Sequence, residues 1–306
     1  MLLLVLVAAG AGVWYGRHRA SAARHPGTLH LHKVRPARTF TLPASKPKPK
    51  APPRLLYGPP LLAGHHVHVR APAGILVDAD TGRVLWADRP HQRRKIASLT
   101  KIMTATLALR EVPWGSTVRV DKRATLVPLV KEGLRTGERV RAWKLFYALL
   151  LYSGNDDAAQ LAISSAGSIH AFLRQMNAKA HDLGLHDTHF TTPSGIIDRG
   201  NYSTAWDLAA LTRYAFRNPR FDRLVRTKRI QVRWSAPTNS KIYLNNNFFL
   251  HEYRGANGVK TGYTQASGWC LVASARRHGR RLIAVVLDSP NMYADARRML
   301  NLGFSH

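Results

Sequence analysis

The chain of 306 residues has only one cysteine, Cys270. A single cysteine excludes an intrachain disulfide, and with it the small scaffolds in which cross-links replace a large core. Cys270 lies in an apolar run over residues 268–274 that predicts a strand, and no metal-binding or redox motif surrounds it. We therefore expect Cys270 to be a small buried hydrophobic residue and not a reactive thiol.

Long apolar runs are also missing. The apolar run from Leu2 to Tyr15 is shorter than the roughly 20 residues that span a bilayer. It has the length of the hydrophobic part of a signal sequence, although no basic residue precedes it. We predict that residues 1–16 are a signal sequence or an N-terminal membrane anchor, and that the protein is extracytoplasmic. An N-terminal helix buried in the fold is the alternative.

Acidic residues are absent before Asp78. Residues 17–69 contain ten Lys or Arg residues, many prolines, and no Asp or Glu. Such a segment cannot bury enough apolar surface to fold, so we predict a basic, Pro-rich, disordered spacer. Its histidines lack acidic or cysteine partners, so we expect them to be solvated and not to bind metal. Residues 70–306 are then left as one folded domain.

The net charge of +29 indicates polyanionic surroundings. Anionic wall polymers and a membrane surface are candidate partners, while a compositional bias towards Arg is the plain alternative. No groove-reading or base-stacking motif accompanies the charge, so we predict no nucleic-acid partner.

Hydrophobic periodicity predicts strands at both ends of the domain and helices between them. Asp80-Thr81-Gly82 separates two short apolar runs and predicts a hairpin, as does His278-Gly279 near the C-terminus. The predicted strands are residues 74–78, 83–87, 269–276 and 281–287. The predicted helices are residues 97–111, 141–152, 156–165, 168–183, one that Ser203 or Thr204 caps, and 293–302. This order predicts an α+β fold, in which an antiparallel sheet from both chain ends packs with an inserted helical cluster.

Three short motifs carry candidate chemistry. Ser98 and Lys101 lie one turn apart at the start of a predicted helix, so a lysine with a lowered pKa could activate the serine hydroxyl. Ser153-Gly154-Asn155 places a hydroxyl and an amide on a turn between two predicted helices. Each of these motifs alone is more often an ordinary helix cap or loop.

The third motif, Lys260-Thr261-Gly262, lies on a predicted strand edge and is followed by Tyr263. An ammonium beside a hydroxyl suits a terminal carboxylate, and a glycine lets a peptide backbone approach closely.

In this order the three motifs together match the signature of penicillin-binding proteins and class A β-lactamases. From about residue 74 to residue 304 the chain resembles the low-molecular-mass penicillin-binding proteins, the family of serine-type D-alanyl-D-alanine carboxypeptidases that also includes DD-endopeptidases. Met176-Asn177-Ala178 and Gly268-Trp269-Cys270-Leu271 are further family-like stretches. The resemblance implies a DD-peptidase/β-lactamase-like fold and makes residues 70–306 the DD-peptidase catalytic domain.

The resemblance also implies roles in an acylation–deacylation cycle. Ser98 attacks the penultimate D-alanine carbonyl, Lys101 accepts its proton, and Ser153 relays a proton to the leaving amine. Asn155 positions Lys101 and the substrate amide.

On the substrate side, the resemblance implies that Lys260 and Thr261 hold the terminal carboxylate beside Gly262. The backbone N–H groups of Ser98 and Tyr263 form an oxyanion hole. The implied partners are peptidoglycan stem peptides and acylating β-lactam antibiotics, and no metal or organic cofactor is needed.

Alternatives remain open at this point. A DD-endopeptidase fits the motifs as well as a carboxypeptidase does. A class A β-lactamase needs a glutamate on the loop after Leu183, where the chain offers only Asp187. A non-catalytic wall-binding protein is disfavoured because all three motifs are intact. Thr192 and Trp206 stand where the family usually has Asn and Arg, which affects loop details more than the chemistry.

Overall fold

The computed structural model describes residues 54–56, 58–65, 67–196, 200–234 and 238–306. The strands are β1 (Ala73–Asp78), β2 (Val84–Asp88), β3 (Thr117–Arg119), β4 (Arg139–Arg141), β5 (Arg229–Arg233), β6 (Ser240–Leu244), β7 (Ala256–Thr264), β8 (Gly268–Arg277) and β9 (Arg280–Ser289). The helices are α1 (Lys101–Glu111), α2 (Lys122–Thr125), α3 (Ala142–Tyr147), α4 (Asn155–Ala166), α5 (Ile169–Asp182), α6 (Ala205–Ala215), α7 (Pro219–Arg226), α8 (Phe249–Glu252) and α9 (Met292–Ser305).

Five strands form one antiparallel sheet in the order β2-β1-β9-β8-β7. Strands β1 and β2 come from the start of the domain and the other three from its end, with the helices α1 to α8 inserted between them in sequence. This arrangement confirms the predicted α+β fold. The two predicted hairpins are the pairs β1–β2 and β8–β9. The two-stranded sheets β3–β4 and β5–β6 were not predicted from the sequence.

The sheet is covered on both faces, and side chains alternate between two cores. Ile75 and Val77 point into the core shared with α1 and α6, whereas Leu76 between them packs with Met299 of α9. Cys270 is fully buried in β8, and burial raises the pKa of its thiol to about 12. This confirms that Cys270 is a buried hydrophobic residue.

Helix α1 lies at the centre of the helical cluster. Its residues from Lys101 to Leu109 are all buried, so the first residue of this helix is a lysine inside the core. A short 3₁₀ turn, Ala97–Thr100, precedes it and carries Ser98. The predicted helix over residues 97–111 is therefore confirmed, with a tighter first turn.

The remaining helix predictions are confirmed with small changes at the ends. The one predicted over residues 141–152 consists of α3 and a π-helical turn, Ala148–Tyr152. Thr204 caps α6, because its Oγ1 accepts a hydrogen bond from the Asp207 N–H at 3.0 Å.

The predicted spacer ends earlier than residue 69. Leu55 and Leu62 are buried, and the backbone N–H groups of Leu56 and Leu62 donate to Gly82 and Leu85 carbonyls at 3.0 and 2.8 Å. The leucines at these positions bind the segment to the β1–β2 hairpin, although its many prolines and histidines suggested a linker. The described residues from 54 onward therefore belong to the folded domain.

The predicted signal or anchor over residues 1–16 and most of the spacer lie outside the described residues. Among the residues that are described, no helix is long and apolar enough to cross a membrane.

Candidate active site

Ser98 and Lys101 are in direct contact. The 3₁₀ turn places Ser98 three residues before Lys101, and Lys101 Nζ lies 2.9 Å from Ser98 Oγ. Ser98 is partly exposed, whereas Lys101 is fully buried. A reagent can therefore reach the hydroxyl, while the amine beside it is shielded from water.

Lys101 Nζ has two further partners, both of which can only accept hydrogen bonds. It donates to Asn155 Oδ1 at 2.8 Å and to the Ser194 carbonyl at 2.9 Å. The three contacts match the three donors of an ammonium. They also suit a neutral amine, which would donate to Asn155 and Ser194 and accept the proton of Ser98 Oγ.

The electrostatic environment favours the neutral amine. Burial lowers the pKa of Lys101 well below its usual range, and the positive charge of Lys260 lowers it further. The carboxyls of Asp157 and Asp156 act in the opposite direction but are the smaller causes. A buried lysine whose pKa is lowered in this way is the type of group that can act as a general base.

The turn Ser153-Gly154-Asn155 lies at the junction of the π-helical turn and α4. Ser153 ends the π-helical turn with a left-handed backbone, φ 74°, and its side chain is largely buried. Asn155 begins α4, and its Nδ2 donates to the Pro128 carbonyl at 3.1 Å while its backbone N–H donates to the Val130 carbonyl at 2.8 Å. These bonds orient the amide so that Oδ1 faces Lys101.

Strand β7 brings Lys260-Thr261-Gly262 to the same place. Lys260 is buried and Nζ donates to the Thr261 carbonyl at 2.9 Å. Burial lowers the pKa of Lys260 to about 7. Its charge reaches Lys101, as the effect on the pKa of Lys101 shows.

Gly262 packs against the turn that carries Ser98. A Cβ atom at this position would lie 3.0 Å from the Ile96 carbonyl oxygen and 3.1 Å from the Ser98 nitrogen. Only a glycine lets β7 pass this close to the serine. Next to it Tyr263 is exposed and its ring lies on Trp269 of β8, with ring centroids 4.2 Å apart.

The predicted site residues are therefore collected on three elements around one point, and direct hydrogen bonds join Ser98, Lys101 and Asn155. Ser153 Oγ forms no side-chain hydrogen bond with any described residue. The sequence prediction missed Ser194, whose carbonyl completes the contacts of Lys101. Ser194 follows Pro193, whose carbonyl accepts from Thr104 Oγ1 at 2.6 Å, so this segment is bound to α1 at two points.

Comparisons with known proteins identify the family of this chain. The sequence profile of the D-alanyl-D-alanine carboxypeptidase family matches residues 62–291. The chain belongs to this family of serine peptidases.

Individual relatives carry different activities in their names. The chain is 33% identical over 244 residues to D-alanyl-D-alanine carboxypeptidase DacF of Bacillus subtilis, in a match that covers 77% of this chain and 62% of that protein. It is 32% identical over 235 residues to the D-alanyl-D-alanine endopeptidase of Escherichia coli, covering 74% of this chain and 75% of the relative. A solved structure of a mutant Streptomyces DD-transpeptidase superimposes with a TM-score of 0.75 at 32% identity, covering 79% of this chain and all of that one.

Proposed function

We propose that this protein removes the terminal D-alanine from peptidoglycan stem peptides through an acyl-enzyme on Ser98. The observation that carries the proposal is the contact of Ser98 Oγ with the buried Lys101 Nζ at 2.9 Å. A serine hydroxyl is a weak nucleophile, and a neutral amine at this distance is positioned to accept its proton.

In the proposed cycle, Ser98 Oγ forms a bond to the penultimate D-alanine carbonyl carbon as its proton passes to Lys101. The bond from this carbon to the terminal nitrogen then breaks, and D-alanine leaves as the amine after a proton reaches its nitrogen. We assign this proton delivery to Ser153, which lies next to Asn155 on the same turn. Water finally hydrolyses the ester and restores Ser98.

Substrate binding is assigned to β7. Lys260 supplies a positive charge and Thr261 a hydroxyl for the terminal carboxylate, a charge-assisted contact. The backbone N–H groups of Ser98 and Tyr263 are assigned to the oxyanion, whose charge develops only in the transition state. The close approach of Gly262 to the Ser98 nitrogen supports this assignment, because it brings the two N–H groups to neighbouring positions.

A DD-endopeptidase that cleaves cross-links is the second candidate, and the Escherichia coli relative of that name favours it. Both reactions attack the same D-alanyl carbonyl, but the leaving amine differs. Incubating the purified full chain with a peptide ending in D-Ala-D-Ala and with cross-linked dimers tests the two. Release of free D-alanine supports the carboxypeptidase, whereas splitting of dimers without free D-alanine favours the endopeptidase.

For the location, we infer an extracytoplasmic protein that residues 1–16 anchor to the membrane or direct to secretion. The family acts on peptidoglycan peptides and binds β-lactams, and both are encountered outside the cytoplasm. A spacer between anchor and domain would let the enzyme reach wall peptides.

We also infer that the basic surface binds anionic polymers of the envelope. A surface pocket of about 790 Å³ supports this, because Arg110, Arg217 and Arg220 line it. Asp182 also lines this arginine pocket, but its carboxylate pairs with Lys179 at 3.2 Å. These three side chains form no ion pair with any carboxylate of the described residues. Arg217 and Arg220 instead lie over the rings of Tyr214 and Trp114, at 5.8 and 5.6 Å.

A further inference from the structure

Behind the turn that carries Ser153 lie two buried carboxyl groups with no place in the proposed reaction. Glu132 belongs to the loop before β4, and its side chain is 2% exposed. Asp157 belongs to the first turn of α4 and is fully buried. Buried carboxyls are costly unless they are paired, so both require a physical explanation.

The hydrogen bonds of the two groups differ. Glu132 Oε1 accepts from Lys241 Nζ at 3.1 Å and from the Tyr243 hydroxyl. Glu132 Oε2 and both carboxyl oxygens of Asp157 receive no N–H or hydroxyl donor from the described residues. The two carboxyl groups instead lie within hydrogen-bonding range of each other.

Two carboxylates cannot form a hydrogen bond with each other unless one of them carries a proton. We propose that Glu132 and Asp157 share one proton, and that this pair is a positioning device that supports the Ser153-Gly154-Asn155 turn and keeps negative charge away from Lys101.

The contacts assign the shared proton to Asp157. Glu132 has a cation and a hydroxyl on Oε1, which stabilise its ionised form, while Asp157 has no other donor. The hydroxyl of protonated Asp157 then donates to Glu132 Oε2. In agreement, burial raises the pKa of Asp157 well above its usual range, and the charge of Glu132 raises it further. Burial also raises the pKa of Glu132, but the contact with Asp157 and the charge of Lys241 lower it, so Glu132 is the more readily ionised of the two.

Asp157 lies directly against the catalytic turn. A Cβ atom on Gly154 would lie 1.9 Å from Asp157 Oδ2, so the carboxyl occupies the space that a side chain at position 154 would need. The next residue, Asn155, contacts Lys101. Ionised Asp157 also raises the pKa of Lys101, which places its charge within electrostatic range of the amine. The protonation state of Asp157 therefore acts on the proposed base.

Other charged groups surround the pair from each neighbouring element. Lys101 of α1 and Lys144 of α3 both respond to its charge, as their pKa values show. Lys241 and Tyr243 extend from β6. Asp156 of α4 is a third carboxyl, but it is bound by the backbone N–H groups of Glu132, Gly133 and Leu134 at 2.8, 2.9 and 3.0 Å.

Two isosteric substitutions separate the roles of the pair. Glu132→Gln removes the ion on the distal carboxyl and offers an amide donor to Asp157, so the single negative charge moves to Asp157 and closer to Lys101. Asp157→Asn keeps the charge on Glu132 and makes position 157 permanently neutral. The first variant should raise the pKa of Lys101 and the second should not.

The readout is the rate of acylation by a fluorescent penicillin as a function of pH, measured on the full chain. Because Lys101 must be neutral to accept a proton, the rate rises with pH through its pKa. We expect Glu132→Gln to move this rise by about 0.5–1 pH unit towards higher pH, as a charge a few Å closer predicts at an effective dielectric constant near 20. Asp157→Asn should leave the rise in place or move it to lower pH. Shifts of both variants in the same direction would overturn the proposal.

The penicillin arm rests on the proposed function, so a second arm is independent of activity. The infrared spectrum of the wild type near neutral pH should contain a protonated carboxyl band. Difference spectra of wild type minus variant should show that both Asp157→Asn and Glu132→Gln lack this band. Asp182→Asn, a change at an exposed carboxyl, should leave the band unchanged. A wild type without this band contradicts the shared proton, even if penicillin acylates Ser98 normally.

If the asparagine variant fails to fold, Asp157→Ala replaces it in both arms. Alanine also leaves position 157 neutral, so the direction of the pH shift must be the same. A wild type that shows the band but no acylation would contradict the proposed function and leave the proton pair supported.

Discussion

The ammonium group of Lys260 lies within electrostatic range of the amine of Lys101. Burial lowers the pKa of Lys101, and the charge of Lys260 lowers it further. The two buried lysines therefore have different proposed roles. Lys260 binds a carboxylate as a cation, and Lys101 accepts a proton as a neutral amine. A substitution of Lys260 should therefore change both the binding of the carboxylate and the pKa of Lys101.

Lys260→Ala should reduce kcat/KM on a D-Ala-D-Ala peptide by about ten- to a hundredfold, because a charge-assisted contact contributes about 1.5–3 kcal/mol. It should also move the rise of penicillin acylation to higher pH, since the pKa of Lys101 increases without its positive neighbour. Lys122→Ala, at an exposed site on α2, is the control and should change neither quantity. Unfolding of the Lys260 variant would mean that this lysine is structural.

The pH dependence of substrate binding follows from the pKa of Lys260, which burial lowers to about 7. Lys260 is cationic below this value and neutral above it, so the carboxylate contact weakens as pH rises through about 7. We expect kcat/KM for a peptide with a free terminal carboxylate to fall on this alkaline side. A peptide with an amidated terminus should react more slowly but lack this fall. The same alkaline fall with both peptides would remove Lys260 as its cause.

Ser98→Ala should abolish covalent labelling by penicillin, because no other hydroxyl among the described residues contacts Lys101 Nζ. Mass spectrometry of the labelled wild type should place the adduct on the peptide that contains Ser98. Ser240→Ala, at an exposed serine on β6, should be labelled like the wild type. An adduct on any other residue of a folded protein contradicts the assignment of the nucleophile.

The sequence predicted the sheet and most helices because their patterns are regular. β1 and β8 are short apolar runs between turn residues, and α5 has a clear cap at Ser168. The two-stranded sheets β3–β4 and β5–β6 were missed because their strands are only three to five residues long and mostly exposed. Each strand has at most one buried residue, and so short an alternation of polar and apolar residues does not predict a strand.

The sequence predicted the candidate site only as three separate motifs, because the fold of the whole domain is what brings them together. The contact of Lys101 with the Ser194 carbonyl could not be predicted, because a backbone oxygen carries no sequence signal. Nor could the pair of Glu132 and Asp157, whose residues are 25 positions apart in the sequence and meet only where α4 packs against a loop. Burial shifts the pKa values of Lys101 and Asp157, and the motifs do not indicate which of their residues are buried.

Gly262→Ala tests the close approach of β7 to Ser98. The added methyl group would contact the Ile96 carbonyl and the Ser98 nitrogen at about the distances where one side must move. Overpacking of this kind costs about 1–3 kcal/mol, so we expect a lower melting temperature and at least tenfold slower acylation. Gly115→Ala is the matched control, because a Cβ atom there has no neighbour within 4 Å. Equal acylation rates in the two variants would show that the approach does not matter for the reaction.

The last prediction concerns the pocket lined by Arg110, Arg217 and Arg220 and its binding to wall material that carries anionic polymers. Retention of the full chain should decrease from low to high salt, because exposed charges farther apart than about 8–10 Å are screened near physiological ionic strength. Retention that does not change with salt would falsify the electrostatic interpretation.

Two double variants separate the pocket from the total charge. Arg217→Ala with Arg220→Ala removes two guanidinium groups of the pocket, and Arg223→Ala with Arg226→Ala removes two from α7 outside it. Both pairs lower the net charge equally, so a binding site at the pocket predicts a clearly larger loss of retention for the first pair. Equal losses would assign the binding to total charge alone. In either case the acylation of Ser98 by penicillin should be unchanged, because none of these arginines belongs to the proposed catalytic site or to the peptide-binding strand β7.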